Sequence, residues 1–167
     1  MKSNYVIRAM RFAEMLYPFI TNCYTVDHYI EAVENFNAIY HRKVLLCHGM
    51  TRVVFITSDY VVKMDYGNKA KRWGGCADEV RGYTIAHNAG YAHLFARPTP
   101  YMVNERVFYI MPRINDVDGE RSNDEDVYYH LDYEERDFIC DHFADLHSAN
   151  YGWKDDHPVI FDYACLE

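Results

Sequence analysis

At 167 residues, half of them hydrophobic, the chain has the size of one domain or of two small lobes sharing a site, and its composition is neither disordered nor fibrous. A formal net charge of -8 opposes general binding to nucleic acid or to anionic membrane. No apolar run approaches a membrane span, and the first residues lack the apolar stretch of a signal peptide, so the sequence reads as a soluble cytoplasmic protein.

In chain order, Val6, Met10, Phe12, Ala13, Leu16 and Tyr17 form a helical stripe over residues 5–18, ended at or just before Pro18. A second helix is expected over 26–41, with Thr25 as its cap. The period then changes. Residues 43–47, 52–57 and 60–64 read as three successive antiparallel strands joined by His48-Gly49-Met50-Thr51 and Ser58-Asp59. After a polar loop to Gly75, a helix over 77–88 is closed by Asn88-Ala89-Gly90. Short strands are expected at 94–96 and 106–111, the latter stopped by Pro112. An acidic segment over 116–126 reads as a solvated loop or a partner-binding face. A helix over 133–146 follows, then strands at 150–153 and 158–162 around the turn 154–157.

The five cysteines are scattered, with no paired spacing, and read as reduced, mostly buried thiols. The nine histidines show no metal-ligand spacing, so no zinc site is expected. The 16 tyrosines suit half-buried sheet faces as well as grooves. Lys69, Lys71 and Arg72 form a small basic patch, either a solvated loop or a contact for an acidic partner.

The chemistry concentrates near the C-terminal end. Asp145 and Asn150 flank the end of a helix, and Asp162 closes the apolar run Val159-Ile160-Phe161. A strand end is a rigid platform for a carboxylate. Mg²⁺ takes one or two carboxylates plus phosphate oxygens in a tight octahedron, and Asn150 and Asp162 offer suitable oxygens. Asp145 could accept a hydroxyl proton. Ordinary capping and turn chemistry is the competing reading for Asp145 and Asn150.

With those residues in place, the chain resembles a small member of the protein-kinase-like fold, and in particular the compact kinase-like proteins encoded by tailed bacteriophages. The resemblance covers roughly residues 43–162. Asp145-Leu146-His147-Ser148-Ala149-Asn150 is similar to the family's catalytic loop, its Asp standing for the catalytic base and its Asn for a metal ligand. Asp162-Tyr163-Ala164 stands where the family has its metal-binding Asp-Phe-Gly. Val61-Val62-Lys63 resembles the strand bearing the phosphate-binding lysine, and Glu79 the helix glutamate that pairs with it. Phe108 to Pro112 resembles the last small-lobe strand and the hinge, which makes the backbone near Met111 and Arg113 the adenine contact. Plainer readings stand beside these: a surface lysine at a strand end for Lys63, and an exposed helix carboxylate for Glu79.

The resemblance implies an α+β, minimal two-lobed protein-kinase-like fold with a small antiparallel sheet. It divides into an extra helical N-terminal region (1–42), a small lobe (43–113) and a much reduced C-terminal lobe (114–167). It implies ATP and Mg²⁺ as cofactors. Asp145 and Lys63 would be catalytic, Gly49, Lys63, Glu79, Met111 and Arg113 would bind the nucleotide, and Asn150 and Asp162 would bind the metal. The expected activity is phosphotransfer to a protein hydroxyl. The alternative is a catalytically weak or inactive kinase-fold protein that binds and inhibits or redirects a host protein. A nucleotide-independent α+β domain is the third reading. Host proteins in the cytoplasm of an infected bacterium would be substrate or target; no nucleic acid or membrane partner is expected, and the sequence specifies no oligomeric state. Departures from the family pattern are the single Gly49 in place of a glycine-rich loop, Phe143 two residues before Asp145 where the family has His, and Tyr163-Ala164 for Phe-Gly. The sequence given also stops at Glu167, from which a missing activation segment and acceptor platform are expected.

Overall fold

A computed structural model describes residues 4–66, 75–114, 129–144, 150–154 and 157–163. The chain divides into two compact units, Met1–Cys76 with Pro98–Arg113, and Ala77–Arg97 with Ile114–Glu167.

The first unit starts with helix α1 (Asn4–Ile20), whose buried Ala9, Phe12, Ala13, Leu16 and Ile20 recur at helical spacing. The helix runs through Pro18, beyond the expected stop. Proline removes one amide late in the helix, and the last turn is held by other means. Thr21 Oγ1 donates to the Tyr17 carbonyl at 2.8 Å, the Cys23 amide donates to the Ile20 carbonyl at 3.1 Å, and Ile20 is buried in the core. Helix α2 (Val26–Tyr40) begins where expected, with the Thr25 hydroxyl accepting from the His28 amide. It ends at His41, which takes a left-handed φ of 50°. The Asn37 side chain then grips both backbone groups of Val44 at 2.9 Å, fixing the entry into the sheet.

Strands β1 (Leu45–His48), β2 (Arg52–Ile56), β3 (Tyr60–Asp65), β4 (Thr99–Val103) and β5 (Arg106–Pro112) form one antiparallel sheet in the order β1-β2-β3-β5-β4. The three expected successive strands are present. Strand β4 is additional: Pro98 and Pro100 argue against a strand in the sequence, but β4 lies at the edge, where a missing amide is tolerated. Alternation sends Val53, Phe55, Tyr60, Val62, Phe108 and Ile110 to the face covered by α1 and α2. Phe12 centres this core, with its ring 5.5 Å from Phe36, 6.5 Å from Phe55 and 5.9 Å from Tyr60.

The second unit contains helix α3 (Cys76–Ala89) apart from its first residue, a 3₁₀ turn (Ala92–Leu94), helix α4 (Tyr133–His142) and the hairpin β6 (Tyr151–Lys154) and β7 (His157–Ile160). Helix α3 closes as the sequence suggests, on Gly90 at φ +90°. The Tyr91 amide reaches the Ala86 carbonyl at 2.8 Å and the Gly90 amide the His87 carbonyl at 3.2 Å, a Schellman closure. Helix α4 opens on a capping box in which Asp132 and Glu135 exchange side-chain-to-amide hydrogen bonds. It stops at His142, four residues before the expected end, because Phe143 turns extended and packs its ring 4.8 Å from Phe95 and 6.0 Å from Tyr163. The expected strand at 94–96 is instead the end of the 3₁₀ turn followed by a single bridge between Phe95 and Ile160. The acidic segment, the patch of Lys69, Lys71 and Arg72, and Asp145 and His147 lie outside the described residues. Among the described residues no helix is long and apolar enough to cross a membrane. No disulfide links the described cysteines; Cys23 and Cys76 are buried and Cys47 and Cys140 exposed, so the expectation of mostly buried thiols holds for two of these four.

Candidate functional site

In the first unit, β3 is the middle strand of the sheet, and Lys63 lies in it opposite Val54 of β2 and Tyr109 of β5. Because Val62 and Met64 face the helices, alternation turns Val61 and Lys63 to the opposite face. Met111, paired with Val61, shares that face. Lys63 is 3% exposed and Met111 0%. This excludes the plain surface reading for Lys63, since a buried ammonium persists only where it is paired.

Gly49 sits in the β1–β2 turn. Its amide donates to the Arg52 carbonyl at 2.9 Å, and its carbonyl accepts from the Tyr66 hydroxyl at 2.9 Å. Gly49 does not adopt a left-handed φ, and a Cβ there would meet nothing within 4 Å. The turn therefore uses glycine for neither conformation nor close approach. Arg113 is similarly engaged. Its amide donates to the Asp59 carbonyl at 3.1 Å and its guanidinium to the Thr57 carbonyl at 2.9 Å, which ties the end of β5 to the β2–β3 turn. Asp65, at the end of β3, accepts from the Cys76 amide at 2.9 Å and so caps the start of α3. Gly75 sits close beneath that carboxylate: a Cβ there would stand 2.8 Å from it, so a larger residue would make the Asp65 side chain shift.

The second unit holds Glu79, Asn150 and Asp162. Glu79 lies in the first turns of α3 and is fully buried at 0% exposure, which excludes the exposed-carboxylate reading. At the open end of the β6–β7 hairpin, the Asn150 carbonyl accepts from the amides of both Phe161 and Asp162, at 2.8 and 3.2 Å. These bonds extend the pairing one step past the ladder and hold the backbones of Asn150 and Asp162 against each other. Tyr163 is 1% exposed, wedged 5.0 Å from the Phe95 ring, and its hydroxyl donates to the Ala96 carbonyl at 2.6 Å. Burial pushes the Tyr163 phenol up, and the Glu79 carboxylate and the Tyr83 phenol push it the same way. Glu79 and the residue following Asp162 thus share one electrostatic environment inside this unit.

Two groups escape the sequence reading. In the first unit a groove of about 440 Å³, on the helix-covered side of the sheet, is lined by Arg8, Arg11, Arg42 and Lys43 together with Asp59, which pairs with Arg8 at 2.6 Å. Its cations come from α1 and from the segment after α2, too far apart in sequence to register as a patch. In the second unit His93, Glu135 and His157 place one ligand atom each within 4.8 Å of one another. Spacing alone conceals this triad; the only sequence signal was Asp132-x-x-Glu135, which marks the start of α4.

No family model matches the chain, and no curated protein matches it. Among solved structures it has a distant similarity to a bacterial kinase, the Legionella pneumophila Lpg2603 kinase bound to IP6. Identity is 18% and the TM-score 0.46, over 77% of this chain and 49% of that one. The chain thus spans about half the length of that structure.

Proposed function

We propose that the chain is an ATP–Mg²⁺-dependent phosphotransferase of the protein-kinase-like class that acts on a protein hydroxyl. The observation that carries this reading is the Asn150–Asp162 junction, where the Asp162 amide donates to the Asn150 carbonyl at 3.2 Å. One carboxylate and one amide side chain then leave adjoining backbone positions, an arrangement suited to a hard divalent ion bridging to phosphate. The burial of Lys63 and Glu79 adds support. A paired lysine of this kind offsets charge on the α- and β-phosphates, and Glu79 is its proposed partner. Asp145 is the proposed base for the acceptor hydroxyl. Adenine would meet the backbone of Met111 and, because the Arg113 amide is engaged, the Arg113 carbonyl. In this scheme 43–113 is the small lobe, 114–167 the reduced second lobe, and a host protein in a phage-infected bacterium the acceptor.

One observation favours a second reading. Both backbone groups of Gly49 are engaged within the first unit, so this turn lends its amide to Arg52 rather than to a phosphate. That suits a catalytically weak kinase-fold protein that binds and inhibits or redirects a host protein. Incubating the chain with γ-labelled ATP, Mg²⁺ and bacterial lysate separates the two. Label on a protein that is lost in both Asp145→Asn and Asp162→Asn supports the enzyme. Saturable ATP binding with no label transferred supports the binding protein.

A further inference from the structure

We propose that His93, Glu135 and His157 form a binding site for a zinc-class divalent metal ion. The three residues come from three elements of the second unit: the 3₁₀ turn, the first turn of α4 and the start of β7. Zinc takes exactly such nitrogen and carboxylate donors, and three protein ligands leave a fourth position for water or a further ligand. This site is separate from the Asn150–Asp162 pair and does not depend on the phosphotransfer reading.

The outer partners already orient the donors. Glu135 is buried, and its Oε2 accepts from the Asp132 amide at 2.9 Å in the capping box. That bond leaves Oε1 directed at His93 Nε2, 2.8 Å away. His157 Nδ1 lies 2.9 Å from the Pro158 carbonyl. A carbonyl oxygen can only accept, so Nδ1 carries the proton and Nε2 of the neutral ring keeps its lone pair for a metal. A histidine whose other nitrogen is held by a carbonyl, and a carboxylate whose second oxygen is held by an amide, are the outer-shell arrangement that metal ligands use. The rings of His93 and His157 stand edge to face with centroids 5.6 Å apart, so both border the same small volume beside Glu135.

The distances are close to those required. Bonds of about 2.0–2.2 Å in a tetrahedron place ligand atoms roughly 3.3 Å apart. The His93–Glu135 separation of 2.8 Å would open slightly as the ion replaces the shared proton, and all three ligand atoms already lie within 4.8 Å of one another, with His93 half-exposed and so least confined. A simple His93–Glu135 hydrogen bond explains two of the three residues. It does not explain the third donor arriving from β7 with its tautomer set.

The test is calorimetric titration of the chelator-treated full chain with zinc chloride, followed by cobalt substitution. The expected result is one equivalent bound, with affinity lowered roughly tenfold or more in His93→Ala and in His157→Ala. Glu135→Gln, which keeps an oxygen for the Asp132 amide, should weaken binding while α4 stays helical by circular dichroism. The cobalt form should lack the near-ultraviolet thiolate charge-transfer band. Undetectable zinc binding, unchanged affinity in both histidine variants, or a thiolate band would overturn the assignment.

Discussion

Tyr163 ties the backbone that follows Asp162 into the second unit. Its hydroxyl donates to Ala96 and its ring fills the cluster of Phe95 and Phe143. Tyr163→Phe leaves the buried Ala96 carbonyl without that donor, a loss of about 1–2 kcal/mol measured by denaturant unfolding at pH 7. The pH dependence has a definite sign. Burial raises the folded-state phenol above its ordinary value of about 10, so the associated stability is complete below that pH. It is lost as pH rises further, because only the unfolded chain can ionise freely. The gap between wild type and Tyr163→Phe should therefore narrow above about pH 10; a constant gap would contradict the buried neutral phenol. At Gly49 the expectation is the reverse of a conserved-turn argument. With ordinary φ and open space around the Cβ position, Gly49→Ala should be neutral or stabilising by about 0.4–1 kcal/mol, read from the unfolding midpoint. The family resemblance implies a phosphate contact for this glycine; in the turn its amide donates to Arg52 and its carbonyl accepts from Tyr66.

At the level of elements, the sequence was legible where local chemistry decides the outcome. Thr25 capping α2, Gly90 closing α3 and the β-branched runs of β2 and β3 need only their near neighbours. Tertiary packing decided the rest. Burial of Ile20 carries α1 past Pro18, Phe143 ends α4 early to join an aromatic cluster, and β4 accepts Pro100 because it is an edge strand. None of these partners is visible in a window of sequence. The Gly90 closure offers a direct test. Alanine at φ +90° is strained, so Gly90→Ala should cost roughly 1–2 kcal/mol in unfolding free energy. An unchanged midpoint would mean that α3 does not depend on its Schellman end.

Among the described residues, a five-stranded antiparallel sheet under two N-terminal helices makes one unit, and helices with a hairpin make the other. The expected site residues divide between them. Lys63 and Met111 share one sheet face in the first, while Asn150 meets Asp162 and Glu79 lies in the field around Tyr163 in the second. Resemblance to the protein-kinase-like pattern suggested this set, and burial removed the surface readings for Lys63 and Glu79. The His93–Glu135–His157 triad stayed hidden, because its members meet only through the packing of three distant segments. The central claim is that Asp162 binds Mg²⁺ together with ATP. Its most direct test is the thermal unfolding of wild type and Asp162→Ala with ATP, with and without Mg²⁺. Wild type at about 100 times the dissociation constant gains about 2.7 kcal/mol, a rise of roughly 5–10 °C that requires Mg²⁺ and is absent in Asp162→Ala. No rise in wild type, or an equal Mg²⁺-dependent rise in both proteins, would contradict the account.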